Sequence, residues 1–138
     1  MTELEQAIVS LRENNYTCVL RKDGKEYTSD RRGVAPLLDL LHREIDLHGA
    51  SCADRVVGNG AAYLYVLLRV KEVYAEIISE PAKKTLEQAG ICVFDGTIVP
   101  AIMNRTKDGF CPIEQAVRDA VSPENALELI EKRLKTLK

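Results

Sequence analysis

Residues 52–94 constrain the fold more than any other part of the chain, because they predict a helix, a strand, a helix and a strand with almost no connecting sequence. Apolar residues recur every three or four positions over residues 53–69, which predicts a helix with one buried face. Residues 73–78 (VYAEII) form a continuous β-branched and aromatic run, which is typical of an interior strand. This order of elements indicates an α/β protein.

A second helix is predicted to begin at Ser79, where a serine cap is followed by Glu80 and then by a proline. It is predicted to end at Gly90, and residues 91–94 return as a strand. A strand-helix-strand crossover this short is right-handed and joins parallel strands. The two helix N-termini, near Cys52 and near Ser79, are therefore expected at one edge of the sheet, where open α/β sheets bind ligands.

Two glycines, Gly58 and Gly60, fall inside the first predicted helix of this segment. Each costs about 1 kcal/mol relative to alanine in a helix interior. We interpret them as positions where the backbone packs closely against another element. A ligand pressed against the backbone is the alternative.

Further predicted elements lie on both sides of this segment. They are a helix with a Thr2/Glu5 capping box, a hairpin about Asp23-Gly24, a helix over residues 34–47, a turn at Asp95-Gly96, an edge strand over residues 97–103, and helices from Cys111 and Ser122. The hairpin is predicted because the Asp-Gly turn separates two strand-forming runs, residues 16–20 and 26–28. Residues 97–103 are placed at an edge because Pro100 cannot donate to a ladder.

Length and charge exclude several classes of protein. A chain of 138 residues fits one domain, residues 1–138, which can bury about two-thirds of its unfolded surface. With 19 Lys and Arg against 21 Asp and Glu, the net charge of −2 offers no electrostatic basis for binding nucleic acid. The longest nearly uncharged apolar run, residues 60–68, is too short to span a bilayer, and the N-terminus is unlike a signal peptide. We expect a cytoplasmic protein.

The four cysteines, Cys18, Cys52, Cys92 and Cys111, include no closely spaced pair. They therefore predict neither a zinc ribbon nor a disulfide framework, and they fit a reducing compartment. Cys18 and Cys92 lie within strand-forming runs and are interpreted as core residues.

The helix starts resemble those of the zinc-dependent nucleoside and base deaminases. Those enzymes place H-x-E at the start of one helix and P-C-x-x-C at the start of the next, on a hairpin-helix-strand-helix-strand frame. Here Cys52-Ala53-Asp54 falls where H-x-E would be, and residues 79–85 (SEPAKKT) fall where the second motif would be. The frame is similar, and the ligands differ.

The chain from about residue 32 to residue 114 also resembles a small prokaryotic family that is classified as a domain of unknown function. The matching pieces are residues 33–38 (GVAPLL), 53–58 (ADRVVG), 79–82 (SEPA), 104–105 (NR) and 111–114 (CPIE). The resemblance implies a three-layer α-β-α sandwich with a mixed sheet of about five strands and a cytidine-deaminase-like fold. A lysine is usual in that family after the V-V-G segment, where this chain has Asn59.

A deaminase zinc requires three protein donors, and this chain lacks most of them. Ala82 has no donor, and Thr85 offers only a neutral hydroxyl, so Cys52 alone remains. Asp54 could imitate the proton-carrying glutamate, but it is one methylene shorter and has no metal-bound hydroxide to serve. We predict that the protein binds no zinc at this position and needs no cofactor.

A rearranged metal site would have to combine His48, Cys52, Cys111 and Glu114. Because His48 and Cys52 show no recognised ligand spacing, we favour a solvated His48 and a small, buried Cys52 at a helix start.

The Cys111-Pro112-Ile113-Glu114 segment contains side chains that could take part in a reaction. A thiol at the start of a helix faces the positive end of the helix dipole, and Glu114 could orient a proton or an amine. A plain helix start is the structural interpretation of the same residues. Arg105, close before Cys111, could hold a carboxylate or phosphate.

The working hypothesis is a zinc-free protein that binds a nucleoside-, nucleotide- or amino-acid-like molecule. Its candidate catalytic residues are Asp54, Cys111 and Glu114. The candidate ligand-binding residues are Cys52, Asp54, Ser79, Glu80, Asn104, Arg105, Cys111 and Glu114. A homo-oligomeric interaction or scaffold module without catalysis is the alternative, and a metal-independent enzyme that uses Cys111 is the third. A homo-oligomer is expected under either of the first two.

Overall fold

This computed structural model describes residues 1–103 and 111–136, which form six helices and five strands. Their bounds are α1 Glu3–Glu13, β1 Cys18–Lys22, β2 Lys25–Ser29, α2 Ala35–His42, β3 Ser51–Val57, α3 Asn59–Leu68, β4 Glu72–Ser79, α4 Glu80–Gln88, β5 Cys92–Val99, α5 Pro112–Ala116 and α6 Pro123–Thr136. In the described part of the chain, no helix is long and apolar enough to cross a membrane.

The five strands form one mixed sheet in the order β2-β1-β3-β4-β5. β1 pairs antiparallel with both β2 and β3, whereas β3, β4 and β5 are mutually parallel. Helix α1 packs on one face, against β1 and β3, and the other helices contribute to the core of the opposite face. The predicted three-layer sandwich with a mixed sheet of about five strands is confirmed.

Alternating side chains of the strands supply two hydrophobic clusters, because successive residues of a strand point to opposite faces. The larger cluster includes Leu20 and Cys52 and surrounds Tyr65 of α3. The smaller cluster joins Ala7 and Leu11 of α1 to strand residues between the helix and the sheet. Helix α6 packs on α3, with Ile130 fully buried, so this terminal helix is part of the protein's own core.

The predicted helix over residues 53–69 was wrong in its first part, because residues 51–57 form β3. Both faces of β3 are covered, so residues 51–54 are all buried and the strand lacks the usual alternation of apolar and polar residues. The apolar spacing of α3 continues back through Val56 and Val57, so the helix was predicted to begin too early. Helix α3 begins only after Gly58, so Cys52 and Asp54 do not lie at a helix start.

A second error concerned Asp95-Gly96, which lie within β5 and form no turn. A Cβ on Gly96 would lie 2.6 Å from the backbone oxygen of Glu76, so glycine permits close contact with β4. β5 ends at Val99, just before Pro100, and no separate strand spans residues 97–103. Cys92 was predicted to be in the core, but it is exposed because β5 is an edge strand.

Several local predictions are confirmed. Thr2 and Glu5 form the capping box of α1. Asp23 and Gly24 connect β1 to β2 with φ of 50° and 80°. The helix predicted over residues 34–47 is shorter and ends at His42, because Glu44 takes a left-handed conformation with φ of 54°.

Candidate functional site

The carboxyl ends of β3 and β4 lie side by side, and a helix begins directly after each of them. Val57 pairs with Ile78 near these ends. Helix α3 then begins after Gly58, and α4 begins after Ser79. The prediction that two helix N-termini share one edge of the sheet is confirmed, with the first at Gly58 and not near Cys52.

Helix α4 begins as the sequence predicts. Ser79 is 1% exposed, and its Oγ accepts a hydrogen bond from the backbone N–H of Ala82 at 3.2 Å. The hydroxyl of Thr85, one turn further on, donates to Asn59 Oδ1 at 2.5 Å and so links α4 to the start of α3. The two positions predicted to replace the deaminase thiolates are therefore a buried alanine and a hydrogen-bonded threonine.

Glu114 of α5 reaches the start of α3 from a distant part of the chain. Its Oε1 accepts a hydrogen bond from the backbone N–H of Asn59 at 2.6 Å. Burial raises the pKa of Glu114 above its usual range, and hydrogen bonds from the backbone of Asn59 and Gly60 lower it in part. This carboxyl is thus a half-buried acceptor held at a helix N-terminus.

The two glycines at this start allow α5 to approach the backbone closely. A Cβ on Gly58 would overlap Oε1 of Glu114, and a Cβ on Gly60 would lie 2.5 Å from Cγ2 of Ile113. The predicted close packing at Gly58 and Gly60 is confirmed, although both lie at the start of the helix and not in its interior.

Three clefts lie along this edge. The first, called here the Ser79 cleft, has a volume of about 220 Å³. The Cys111 cleft has about 190 Å³, and Glu114 lines both of these. The Arg31 cleft has about 310 Å³ and shares Gly33 and Val56 with the Cys111 cleft. Glu114 therefore lies between the Ser79 and Cys111 clefts, and of these two the Arg31 cleft adjoins the Cys111 cleft only.

Asp54 lines the Arg31 cleft from the middle of β3. Its Oδ2 accepts a hydrogen bond from the hydroxyl of Tyr65 at 2.7 Å, and Cys18 Sγ lies 3.4 Å from the same hydroxyl. Burial raises the pKa of Asp54 to about 7, against the lowering effect of the Tyr65 hydrogen bond. Asp54 thus belongs to a buried polar network.

The other predicted site residues are dispersed. Cys52 is fully buried near the amino end of β3, away from the helix starts. Glu80 is exposed and lines a separate surface with Lys83 and Lys84. Cys111 is half-buried and occupies the N-cap position of the five-residue α5, without a capping hydrogen bond from its side chain. Asn104 and Arg105 lie outside the described residues.

The rearranged metal site is not formed by the described residues. Over residues 1–103 and 111–136, no three His, Cys, Asp or Glu side chains are grouped to hold a metal ion. His48 is exposed and Cys52 is buried, in agreement with the prediction of a solvated histidine and a small, buried cysteine.

Two features of the site were missed in the sequence. The Asn59–Thr85 hydrogen bond joins residues 26 positions apart, so no local pattern indicates it. Arg118 lines the Ser79 cleft together with Glu114. Arg118 lies beyond the end of α5 at Ala116, so a helical spacing from Glu114 does not account for its position.

The comparisons with known proteins concern family and fold. A family model described as "TM1506: Domain of unknown function (DUF1893)" matches residues 6–134. The crystal structure of a DUF1893 family protein from Thermotoga maritima is similar, with a TM-score of 0.85 and 23% identity over 97% of this chain and 89% of that chain. A diaminohydroxyphosphoribosylaminopyrimidine deaminase/5-amino-6-(5-phosphoribosylamino)uracil reductase from Thermotoga maritima matches with a TM-score of 0.47 and 13% identity, over 83% of this chain and 40% of that chain. No curated protein sequence matches this chain.

Proposed function

We propose that this chain, which belongs to the DUF1893 family of unknown function, binds a small polar molecule in the clefts on either side of Glu114. The observation that carries the proposal is the position of this carboxyl group. It is half-buried, bonded to the backbone at the start of α3, and shared by the Ser79 and Cys111 clefts. Shifted titratable groups in clefts are characteristic of functional sites.

The chemistry around Glu114 favours a ligand with an N–H donor. An ionised carboxylate can only accept hydrogen bonds, so a ligand that contacts this group in its ionised form must supply a donor. Nucleosides, nucleotides and amino acids all carry N–H groups that could donate to it. The Ser79 cleft adds polar groups near the buried carboxyl, including Asn59 and Gln115.

The proposed binding does not involve zinc at the start of α4. A catalytic zinc site needs three nitrogen, sulfur or carboxylate donors, and Ala82 supplies none. Thr85 donates its hydroxyl hydrogen to Asn59. Cys52, the one thiol in the predicted motif, lies in the hydrophobic core.

Ligand binding is tested by thermal shift followed by calorimetry, with a panel of nucleosides, bases, nucleotides and amino acids. A ligand at about 100 times its Kd stabilises the protein by about 2.7 kcal/mol, which raises Tm by roughly 5–10 °C for a domain of this size. Glu114→Gln keeps an acceptor for Asn59 and should weaken binding by about tenfold or more. Glu124→Gln, at an exposed acid in the first turn of α6, is the matched control and should bind normally.

The proposal fails if no member of the panel changes Tm. It also fails if a ligand binds equally well to the wild-type protein and to Glu114→Gln.

A homo-oligomeric module is the second candidate, and edge strand β5 favours it. Among the described residues, β5 pairs with β4 alone, and Phe94 and Ile98 are 47% and 43% exposed on it. Long edge strands with exposed apolar residues are sites of pairing between chains. Light scattering should then show a dimer that Phe94→Lys dissociates, whereas Val121→Lys, at an apolar residue that is 88% exposed outside the sheet, leaves it intact.

A further inference from the structure

The Arg31 cleft presents two arginines on a loop whose backbone is fixed by hydrogen bonds. Thr17 Oγ1 donates to the backbone oxygen of Arg31 at 2.6 Å, and the backbone N–H of Arg31 donates to Ser29 Oγ at 3.0 Å. Gly33 follows with φ of 67°, a turn that suits glycine. Arg31 and Arg32 are therefore exposed cations on an ordered segment.

These two guanidinium groups are available to a ligand, unlike their neighbour Arg55. Arg55 donates to both oxygens of Glu76, at 3.0 and 2.9 Å, and to the backbone oxygens of Leu11 and Tyr16. No carboxylate in the described part of the chain forms an ion pair with Arg31 or Arg32. A pair of unneutralised arginines beside a cleft suits a phosphate or carboxylate group.

The acid in this cleft offers little opposition to an anion. Asp54 is 8% exposed, and its carboxyl is engaged by Tyr65. Burial raises the pKa of Asp54 to about 7, so the group is partly protonated near neutral pH.

The arginines and Glu114 line two adjoining clefts, so one ligand can contact both. Asp54 lies in the Arg31 cleft, and Gly58 touches Glu114, four residues further along extended chain. The backbones of Asp54 and Gly58 are roughly 13 Å apart at about 3.3 Å per residue. Gly33, which follows Arg32 in the chain, lines the same cleft as Glu114, so the two clefts adjoin. A nucleoside phosphate carries the N–H groups of its base and its phosphate on opposite sides of the sugar ring, so it can contact both clefts at once.

The surface between the two ends is largely apolar. The Cys111 cleft, which joins them, is lined by Val34, Val56, Ile102 and Ile113. Such walls suit the flat faces of a base or a sugar.

We propose that the ligand is a nucleoside monophosphate, with its base or sugar in the Cys111 cleft beside Glu114 and its phosphate on Arg31 and Arg32. The Glu114 end of this inference rests on the function proposed above. The arginine end is independent of it and can fail separately.

Calorimetry with the full-length chain tests the inference. The probes are adenosine, guanosine, cytidine and uridine, their 5′-monophosphates, and inorganic phosphate. We expect at least one monophosphate to bind about tenfold or more tightly than its nucleoside, with the advantage reduced by salt. The double variant Arg31→Ala/Arg32→Ala should remove that advantage and leave nucleoside binding unchanged. Lys132→Ala/Lys135→Ala removes two exposed charges from α6 and is the control. This variant should still bind the monophosphate more tightly than its nucleoside.

The outcomes separate the two proposals. If nucleosides bind in a Glu114-dependent way and the phosphate adds nothing, this inference is overturned and the proposed function stands. Binding of inorganic phosphate with no preference for a nucleotide also overturns it, because the arginines would then hold a free anion only. If neither nucleosides nor monophosphates bind, the inference is overturned, and the amino acids of the first panel decide whether the proposed function survives.

Discussion

Asp54 is a carboxylic acid in the middle of β3, with 8% of its surface exposed. Its Oδ2 accepts from the Tyr65 hydroxyl, which in turn lies beside the buried thiol of Cys18. A few protein groups largely replace water around this carboxyl, so the neutral form is stabilised relative to the anion. At the scale of single residues, burial therefore decides the charge of a predicted catalytic candidate.

We expect the Asp54 carboxyl to make stability depend on pH between about 4 and 7. Its folded pKa of about 7 exceeds the ordinary value of 3.8, so the folded state binds the proton more tightly than the unfolded state. This contribution is complete below pH 4 and is lost as pH rises through 7, at up to about 1.4 kcal/mol per pH unit. Urea unfolding at pH 5, 6, 7 and 8 measures it.

Asp54→Asn removes the titrating group and should flatten this part of the pH profile. Asp119→Asn, at an exposed position, is the control and should retain the wild-type slope. An unchanged slope in Asp54→Asn would show that burial does not hold this carboxyl neutral.

At the scale of elements, the contact between α5 and the start of α3 builds the candidate site. Oε1 of Glu114 and Cγ2 of Ile113 occupy the space that side chains on Gly58 and Gly60 would need. Gly58 has φ of −92°, which any residue can adopt, so the glycine is needed for space and not for its backbone conformation.

Gly58→Ala should lower the free energy of unfolding by about 1–3 kcal/mol, because the new methyl group displaces the Glu114 carboxyl. In a Glu114→Ala background the same change should cost much less, since the overlap with Glu114 is gone and only a 3.2 Å contact with Cγ1 of Ile102 remains. Denaturant unfolding of the four proteins in this double-mutant cycle measures the coupling.

Gly60→Ala is the matched control, because its methyl group meets Ile113. Its cost should persist in the Glu114→Ala background. Equal rescue of both glycine variants would mean that α5 as a whole has moved and that Glu114 makes no specific contact with Gly58.

At the scale of the whole molecule, the larger hydrophobic cluster contains two of the four cysteines and leaves the other two outside it. Cys18 and Cys52 lie in the larger cluster, where burial raises the pKa of both thiols well above the ordinary value. Cys92 is exposed on the edge strand, and Cys111 is half-buried at a cleft. Thiolate formation and access both control alkylation, so the fold should decide which thiols react.

Iodoacetamide near pH 7.5 should label Cys92 first, Cys111 next, and Cys18 and Cys52 only when the chain unfolds. Peptide mass spectrometry over a time course, with and without urea, measures the four rates. Labelling of Cys52 in the folded protein would contradict the structure. A Cys111 that reacts faster than exposed Cys92 would be an activated thiol and would favour the third hypothesis, a metal-independent enzyme that uses Cys111.

Much of the local structure was predictable because its causes lie within a few residues. The Thr2 capping box, the Asp23-Gly24 turn and the Ser79 start of α4 each depend on neighbouring residues and were predicted correctly. β3 was missed because cover on both faces removes the alternation that marks a strand. Cys92 was misplaced because sequence does not show that β5 lies at the edge of the sheet.

The sequence by itself determined the α/β class, most helix and strand positions, and the absence of thiolates at the start of α4. Only the tertiary structure decided which acids have shifted pKa values and where they lie. It brought the Glu114 carboxyl to the backbone N–H of Asn59, 55 positions away. It also placed Asp54 in the Arg31 cleft, within hydrogen-bonding distance of the Tyr65 hydroxyl. The physical reason is that desolvation and hydrogen bonding depend on the groups around an atom in space, and most of those groups are remote in sequence.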